Sequence, residues 1–364
     1  APDRSFAKRV APYTGSTKMN LKQLSEKLGL SQTTVSRALN GYSDVSEATR
    51  QRVAEMAAAC GYRPNTMARR LAMGRADAIG LIYPLDATYL GDPRFIEMLE
   101  GLTARLNEEH IDVLIASAGR GDELETYQRL IRAHRVDGLI VARTHLHDAR
   151  IAYLREAKFP FVAYGRTADA ADFAWFDFDN AAGTRFAVER LVAFGHRRIA
   201  YLHASLDLTF AAQRHHGYLS SMQAAELAVG PELVREVGVQ RRTAYSAATE
   251  LLARRDRPTA IVVDNNQAGV GVVRAILEAG LRLGQDCSLI VYDGLPEDTL
   301  LDIANVTAIE RPNVGSVSTV CQLSSPTNRM GPRRSHRCRL SQATTSMGSS
   351  RNITTPKRLG ASSA

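Results

Sequence analysis

Near the beginning of the chain, four polar residues could hydrogen-bond to the edges of nucleic acid bases. Gln32, Thr33 and Ser36 carry short hydrogen-bonding groups, and Arg37 carries a guanidinium that can reach a guanine or a phosphate. In a helix these four positions share one face, because side chains three and four residues apart are neighbours there. Such a face fits the major groove of DNA, where every base pair presents its own donors and acceptors. The residues therefore predict a base-reading helix.

The neighbouring residues predict the elements that hold this helix in place. Leu21, Leu24 and Leu28 recur at helical spacing and predict a first helix with one buried face. Gly29 permits the left-handed backbone of a tight turn, and Ser31 is expected to cap the second helix. A third helix is expected to follow. This arrangement is typical of the helix-turn-helix, but it also occurs in small helical bundles that bind no nucleic acid.

The charge of the chain differs from region to region. The net charge is +8, but residues 19–75 carry +5, residues 76–312 carry −8 and residues 313–364 carry +8, with +3 on the first 18 residues. A basic beginning beside an acidic middle is typical of a protein that holds phosphates at one end only.

Residues 76–312 alternate short apolar runs with helical patterns. The first apolar run is 78–83, and a second set of runs begins at Ala174. The alternation predicts βαβ units around parallel sheets, and the two sets predict two lobes. Polar residues that follow the strands are expected to face a cleft at the carboxyl ends of the strands, where such folds bind ligands.

Several classes of function lack support in the sequence. No apolar run reaches the length of about 18 residues that spans a bilayer, and the four cysteines lack metal-binding or disulfide spacing. Glycine-rich nucleotide motifs and His-Glu-x-x-His are absent, and His145 and His147 are interpreted as loop polarity rather than as a metal site. We therefore expect a cytoplasmic protein that is not an enzyme, binds no membrane, and carries no cofactor or metal.

The two ends of the chain depart from this organisation. Residues 1–18 have no periodic pattern and are interpreted as an unstructured leader. Residues 313–364 contain 17 Ser and Thr, eight basic residues and no acidic residue, so we expect a disordered tail. Two origins stay open for the tail. The preferred one is a frameshifted C-terminus, and the other is a native basic arm that adds non-specific contacts to DNA.

A longer motif surrounds the base-reading residues. Its members follow one another in fixed order and spacing: Leu21, Gly29, Ser31, Thr34, Val35, Ser36, Arg37, Leu39, Asn40, Val45, Ser46, Thr49, Arg50, Val53, Gly61, Tyr62, Arg63, Pro64, Asn65, Ala68 and Leu71. With these residues the chain resembles the LacI/GalR family of bacterial transcription regulators, and the similarity continues to about residue 312. The resemblance implies an N-terminal all-α helix-turn-helix domain at 19–64 and a hinge helix or linker at 65–75. It also implies an α/β periplasmic-binding-protein-like effector and dimerisation domain of two doubly wound lobes at 76–312.

The resemblance also implies which residues contact DNA. Gln32 and Thr33 correspond to positions that select the operator sequence, Arg37 to one that reads a base, and Leu71 to a leucine that opens and kinks the duplex from the minor groove. The complete implied set is Leu21, Ser31, Gln32, Thr33, Thr34, Ser36, Arg37, Asn40, Ser46, Thr49, Asn65, Ala68 and Leu71.

A sugar effector is implied for the cleft. Arg214, Asn265 and Asp293 match ligand positions of the family, and their hydrogen-bonding groups suit vicinal hydroxyls. Weaker candidates in the first lobe are Asp86, Phe95, Ser117 and Arg166, and either Phe176 or Trp175 could cover the ring of a sugar. Asn265 could instead serve only as a helix cap. The stretches 161–166 and 174–180 resemble members that respond to α-glucosides. One departure is Val291, where the family usually has glycine.

These expectations combine into one function and two rivals. We expect a homodimeric transcription regulator that acts as a repressor. Its affinity for double-stranded operator DNA is expected to be controlled by a small sugar bound between two lobes. One rival is a sugar-binding protein whose DNA regulation is lost or impaired by the altered C-terminus. The other is a sugar-acting enzyme, which would need an acid/base pair that Asp177 and Asp179 do not convincingly supply.

Overall fold

The computed structural model describes residues 19–62, 74–84, 90–118, 122–168, 172–295 and 306–309. The predicted leader and tail, most of the predicted hinge, and the candidate residues Asn65, Ala68, Leu71 and Asp86 lie outside these ranges. The chain divides into two compact units, residues 1–75 and residues 76–364.

The first unit contains three helices within residues 19–62: α1 Leu21–Leu28, α2 Gln32–Leu39 and α3 Glu47–Ala59. Gly29 ends α1 with a φ of +66°, in the left-handed region that glycine adopts without a steric penalty. Leu24, Val35 and Val53, one from each helix, are fully buried in a common core. The two predicted helices of the motif are therefore present, with the predicted turn between them.

Side-chain caps fix the start of each of these helices. Asn20 and Gln23 form a reciprocal capping box at α1, with distances of 2.9 and 3.0 Å between side-chain oxygen and backbone nitrogen. Ser31 caps α2 as predicted, because its hydroxyl accepts from the backbone N–H of Thr34 at 3.0 Å. Ser46 caps α3 in the same way. Each cap satisfies a backbone donor that the helix itself leaves unpaired.

Two lobes make up the second unit. Lobe 1 is built of β1 Ala78–Ile82, α4 Pro93–Asn107, β2 Asp112–Ala116, α5 Glu123–Arg132, β3 Gly138–Ala142, α6 Ala149–Glu156, β4 Phe161–Tyr164 and β5 Ala174–Phe176. Lobe 2 is built of α7 Asn180–Ala193, β6 Ile199–His203, α8 Thr209–Ala224, β7 Val234–Glu236, α9 Arg241–Leu252, β8 Ala260–Val263, α10 Asn266–Glu278, β9 Ser288–Tyr292 and β10 Thr307–Ile309.

Each lobe has a parallel five-stranded sheet with helices on both faces. The strand orders are β2-β1-β3-β4-β5 in lobe 1 and β10-β9-β8-β6-β7 in lobe 2. In lobe 1, Leu102 of α4 is buried with Leu81 on one face, while Leu130 of α5 and Leu154 of α6 are buried with Leu139 on the other. Burial on both faces explains the apolar runs that predicted the strands.

The structure differs from the sequence-based assignment at a few boundaries. Strand β7 has only three residues and follows a short 3-10 helix, Pro231–Leu233. Strand β10 was not predicted as an element, because three residues are too few to show a period. None of the helices in the described ranges combines the length and the apolar character needed to cross a bilayer.

Candidate functional site

The predicted base-reading residues lie together on α2. Gln32, Thr33 and Arg37 are exposed, and Ser36 is half-buried beside them. The hydroxyls of Ser31 and Thr34 lie 2.8 Å apart at the first turn of the helix. The structure thus presents a short polar face that begins at the capped helix N-terminus.

Other candidates from the motif have local structural partners. The Nδ2 atom of Asn40 donates to the backbone carbonyl of Ser36 at 2.8 Å, and the hydroxyls of Ser46 and Thr49 lie 2.8 Å apart at the start of α3. Leu21 is half-buried against the core of the first unit. These contacts hold the candidates in place by capping and packing, whatever else they touch.

Arg37 has two partners that the sequence analysis missed. Its Nη1 atom lies 3.0 Å from Oδ2 of Asp44, and its guanidinium carbon lies 5.4 Å from the centre of the Tyr42 ring. Both partners come from the turn after α2. An acidic and an aromatic residue shortly after a helical arginine were the available signal.

The second unit contains a cavity between its two lobes, with an empty volume of about 1050 Å³ that is partly open to solvent. A partly open cleft between two lobes is a common place for a small-molecule site. Lobe 1 contributes five aromatic rings, Tyr83, Phe95, Tyr164, Phe176 and Phe178, and also the polar residues Asp92, Arg94, Arg143, Thr144 and Asp177. Lobe 2 contributes the ring of Phe210 and the polar residues Asn180, Arg214, Asn265, Asn266, Gln267 and Asp293.

Arg214 lies in the wall of this cavity and is 3% exposed. Its Nε atom donates to Oδ1 of Asn180 at 2.9 Å, its Nη1 atom donates to the backbone carbonyl of Asp264, and its Nη2 atom lies 4.0 Å from Oδ2 of Asp293. The guanidinium carbon lies 3.4 Å from the centre of the Tyr292 ring. The cation is therefore fixed in position by four neighbours.

Asn265 lines the cavity but uses its side chain to cap α10. Its Oδ1 atom accepts from the backbone N–H of Ala268 at 2.9 Å, and its Nδ2 atom donates to the carbonyl of Gly238 at 3.1 Å. Asn265 is therefore a helix cap, as the alternative interpretation predicts. An effector that binds the Asn265 side chain would have to share these two hydrogen bonds or replace one of them.

Asp293 follows β9 with a φ of +68°. Such a value is uncommon for a residue with a side chain and marks a constrained position. The backbone N–H of Asp293 donates to the carbonyl of Ile309 at 2.8 Å. The end of β9 therefore places Asp293 at the cavity wall by a specific backbone geometry.

Asp264 is a buried carboxylate that the sequence analysis missed. It is 1% exposed, and its Oδ2 atom accepts from the backbone N–H of Ala204 at 2.8 Å. Burial raises the pKa of this carboxyl, although the nearby Arg214 acts in the opposite direction. An acidic residue directly after the apolar strand β8 was the signal in the sequence.

Arg166 and Trp175 are not among the cavity-lining residues, whereas Asp177 and Phe176 are. Consecutive strand residues point to opposite faces, so Phe176 faces the cavity and Trp175 does not. Arg166 contacts Asp177 with 3.1 Å between Nε and Oδ2, and its guanidinium carbon lies 5.7 Å from the Trp175 ring centre. Arg166 thus reaches the cavity through Asp177, whose pKa burial raises.

Side chains connect the lobes beside the cavity. The Nδ2 atom of Asn266 donates to Oδ1 of Asp92 at 2.8 Å, and Nε2 of Gln267 donates to the carbonyl of Gly91 at 2.9 Å. Arg94 is a further bridge, because its Nη2 atom donates to the carbonyl of Asp293.

Backbone groups connect the lobes at a second place. The backbone N–H of Thr209 donates to the carbonyl of Thr144 at 2.9 Å, and the N–H of Leu146 donates to the carbonyl of Asp207 at 3.1 Å. Thr144 and Leu208 both line the cavity. The loop that contains His145 and His147 is thus part of an interlobe contact, and no group of three potential metal-ligating residues was found in the described part of the chain.

Comparisons with known proteins agree for both units. Residues 20–65 match the family model for bacterial regulatory proteins of the lacI family. Residues 76–335 match the model for periplasmic binding proteins and the sugar-binding domain of the LacI family. The second match extends to residue 335, beyond the expected end of the similarity at about residue 312.

Individual relatives are similar over most of their length. The HTH-type transcriptional regulator RafR of Escherichia coli is 41% identical over 300 residues, which are 82% of this chain and 89% of RafR. A crystal structure of the lac repressor dimer bound to operator and an anti-inducer has a TM-score of 0.71 at 28% identity, covering 84% of this chain and 92% of that one. A complex of the regulator CelR with cellobiose has a TM-score of 0.63 at 26% identity, covering 84% and 92%.

Proposed function

The chain belongs to the LacI family of bacterial regulatory proteins, and on that premise we propose that it is a repressor whose α2 reads operator DNA and whose interlobe cavity binds a small saccharide. The observation that carries the proposal is the buried guanidinium of Arg214 in the wall of a cavity that is lined by both aromatic rings and polar groups. Aromatic rings cover the apolar face of a sugar, while fixed polar groups pair with its hydroxyls.

We assign complementary roles to the cavity residues. Arg214 donates to saccharide hydroxyls, and Asp293 and Asp177 accept from them. Phe176 and Phe95 supply apolar surface. Asn265 holds the start of α10 in place, and its side chain joins the ligand contacts only when its bond to Gly238 is exchanged.

We assign DNA reading to the exposed face of α2. Arg37 reads a base, Gln32 and Thr33 select neighbouring bases, and the hydroxyl-rich starts of α2 and α3 contact phosphates. A homodimer would present two such faces to the two halves of a pseudopalindromic site. The dimer is supported by the lac repressor dimer on its operator as a structural relative.

Regulation follows from coupling between the two kinds of site. A saccharide that contacts both lobes favours one arrangement of the lobes. Operator affinity then changes by at most the ratio of the saccharide's affinities for the two arrangements. Couplings of this kind are typically about 5- to 150-fold. The saccharide must change operator affinity by the same factor by which the operator changes saccharide affinity.

A selection experiment tests the proposal. The full chain is used to select duplexes from a random-sequence library, and the affinity for a selected duplex is compared with that for a scrambled duplex at several salt concentrations. We expect a preference for the selected sequence that persists as salt weakens both complexes. Calorimetry with mono- and disaccharides, cellobiose among them, then identifies a ligand that changes this affinity. A chain that binds all duplexes equally, or whose operator affinity no binding saccharide alters, would contradict the proposal.

A further inference from the structure

The turn after α2 brings a carboxylate and an aromatic ring to the arginine of the recognition helix. Oδ2 of Asp44 lies 3.0 Å from Nη1 of Arg37, and the Tyr42 ring lies below the guanidinium carbon. The side chains of Arg37 and Asp44 are 48% and 50% exposed, so the pair lies at the surface from which α2 would meet a partner.

The backbone of this turn is well anchored. Gly41 adopts a φ of +69°, and the N–H of Tyr42 donates to the carbonyl of Arg37 at 3.1 Å. The carbonyl of Tyr42 accepts from the N–H of Val45 at 3.3 Å and from Nη1 of Arg50 at 3.1 Å. Val45 is itself buried in the core. Asp44 therefore lies between the anchored backbone of Tyr42 and the buried Val45.

The contact at Arg37 is compatible with reading a base. A guanidinium has several N–H donors in one plane, so a carboxylate at one terminal nitrogen and a guanine at another edge can be bound together. Bidentate contact with guanine requires that this plane has the right orientation. Holding a long side chain in advance also reduces the ordering cost on binding.

We propose that Asp44 is a positioning residue that makes base reading by Arg37 more selective. The carboxylate and the Tyr42 ring orient the guanidinium toward a guanine, while the negative charge of Asp44 opposes contact with phosphates of any sequence. Asp44 therefore increases the preference for the operator over other DNA and does not increase affinity as such. The inference rests on the proposed function, because it requires that α2 reads DNA.

The experiment compares Asp44→Asn with a matched control, Glu47→Gln, in the full chain. Glu47 is an exposed acid near the same turn that pairs with Arg50 and not with Arg37. Each of the two changes is made both in the wild-type chain and in a chain that already carries Arg37→Ala. Affinities are measured for the selected duplex, for duplexes with single base-pair replacements in each half-site, and for the scrambled duplex.

We expect Asp44→Asn to lower discrimination at a single base-pair position in each half-site, by roughly threefold to fivefold, as an exposed ion pair would allow. Binding to the scrambled duplex should not weaken. Glu47→Gln should change all duplexes by a common factor, and Asp44→Asn should have no further effect on discrimination once Arg37 is alanine. Asp44→Glu should restore part of the discrimination, because it keeps the carboxylate.

Each contrary result has a distinct meaning. If Asp44→Asn and Glu47→Gln behave alike on every duplex, Asp44 acts only through its charge and the inference is wrong. It is also wrong if Asp44→Asn lowers discrimination by the same factor in the Arg37→Ala background. If wild-type chain has no sequence preference, or Arg37→Ala keeps the full preference, the assignment of α2 as the reading helix fails and the inference fails with it.

Discussion

The Nη2 atom of Arg94 donates a hydrogen bond of 3.0 Å to the backbone carbonyl of Asp293, and this bond joins α4 of lobe 1 to the end of β9 in lobe 2. The side chain of Asp293 faces the cavity and approaches Arg214. One residue thus serves as a wall of the proposed saccharide site and as an anchor between the lobes. Movement of the lobes and occupation of the cavity are therefore expected to be energetically linked.

Replacing Arg94 with methionine should shift the lobes toward a more open arrangement. The change keeps an unbranched apolar stem but removes the guanidinium that donates to the carbonyl of Asp293. A hydrogen bond from a charged donor contributes about 1.5–3 kcal/mol, so the closed arrangement should lose population and saccharide affinity should fall roughly tenfold. Small-angle scattering of the ligand-free chain should give a larger radius of gyration, and calorimetry the weaker binding.

Arg105→Met is the matched control, since Arg105 lies on the same helix and pairs with Glu108 and Glu109 away from the cavity. It should change neither the radius of gyration nor saccharide affinity. Equal behaviour of the two variants would show that the Arg94 bond does not hold the lobes together.

Arg214→Met should destabilise the second unit and abolish saccharide binding. The methionine leaves the buried carboxylates Asp264 and Asp293 without their nearby cation, and loss of one partner of a buried charge pair costs about 3–5 kcal/mol. The free energy of unfolding, measured by urea titration, should fall by that order. Arg190→Met is the control, because the Arg190 guanidinium carbon lies 5.0 Å from the centre of the exposed Phe194 ring at the end of α7.

Arg214→Lys separates the two effects. Lysine keeps the positive charge and most of the stability but cannot reproduce the planar contacts to Asn180 and the Asp264 carbonyl. We therefore expect a smaller loss of stability with a loss of saccharide affinity of roughly 100-fold. Wild-type affinity in Arg214→Lys would refute a direct role of the guanidinium.

Local features of the sequence predicted much of this architecture, and contacts between distant residues account for what was missed. Ser31 caps α2 through a residue three positions away, so a short window suffices to predict it. Asn266 meets Asp92 across 174 residues, and only the folded lobes bring them together. Asp264 was missed for a similar reason, because its partner Ala204 lies 60 residues away.

The choice between Trp175 and Phe176 illustrates a second limit. Strand alternation shows that the two rings face opposite sides, but it does not show which side is the cavity. That depends on the pairing of β5 with β4, where Phe176 lies opposite Tyr164, another cavity residue. Register is thus the information that the local pattern lacks.

Lowering the pH should destabilise the second unit partly through His196. The Nδ1 and Nε2 atoms of His196 lie 2.9 Å from the hydroxyls of Thr259 and Ser288, and so connect the beginnings of three strands. Burial lowers the pKa of His196 below its ordinary value of 6.5. The folded protein therefore binds fewer protons here than the unfolded chain, and this contribution to stability is present above pH 6.5 and is lost as the pH falls through the lower folded pKa.

His196→Gln tests this dependence. At neutral pH it should cost about 0.5–1.5 kcal/mol for each hydrogen bond that is lost, but its thermal midpoint should fall less than that of the wild type when the pH is lowered from about 7.5 to about 5. His147→Gln, at an exposed loop position, should retain the wild-type slope. A slope in His196→Gln as steep as in the wild type would assign the acid sensitivity to other groups.

Gly269 and Val291 are expected to form a coupled pair between α10 and β9. A Cβ atom on Gly269 would lie 2.5 Å from Cγ1 of Val291, which is fully buried. The departure noted at Val291 is thus accommodated by a glycine on the facing helix, which leaves room for the larger side chain. Gly269→Ala should therefore lower the free energy of unfolding by about 1–3 kcal/mol through overpacking, even though alanine favours a helix.

Removing the opposing methyl groups should reverse much of this loss. Val291→Ala alone is expected to cost about 1–3 kcal/mol, because it removes buried apolar groups and leaves a cavity. In the double variant the alanine at 269 occupies part of that cavity, so the total loss should be smaller than the sum of the single losses by at least about 0.5 kcal/mol. Additive losses would mean that the effect of Gly269→Ala does not depend on the side chain at position 291. Saccharide affinity provides a second measure, because such a shift would move Asn265 and Asn266, which line the cavity at the beginning of the same helix.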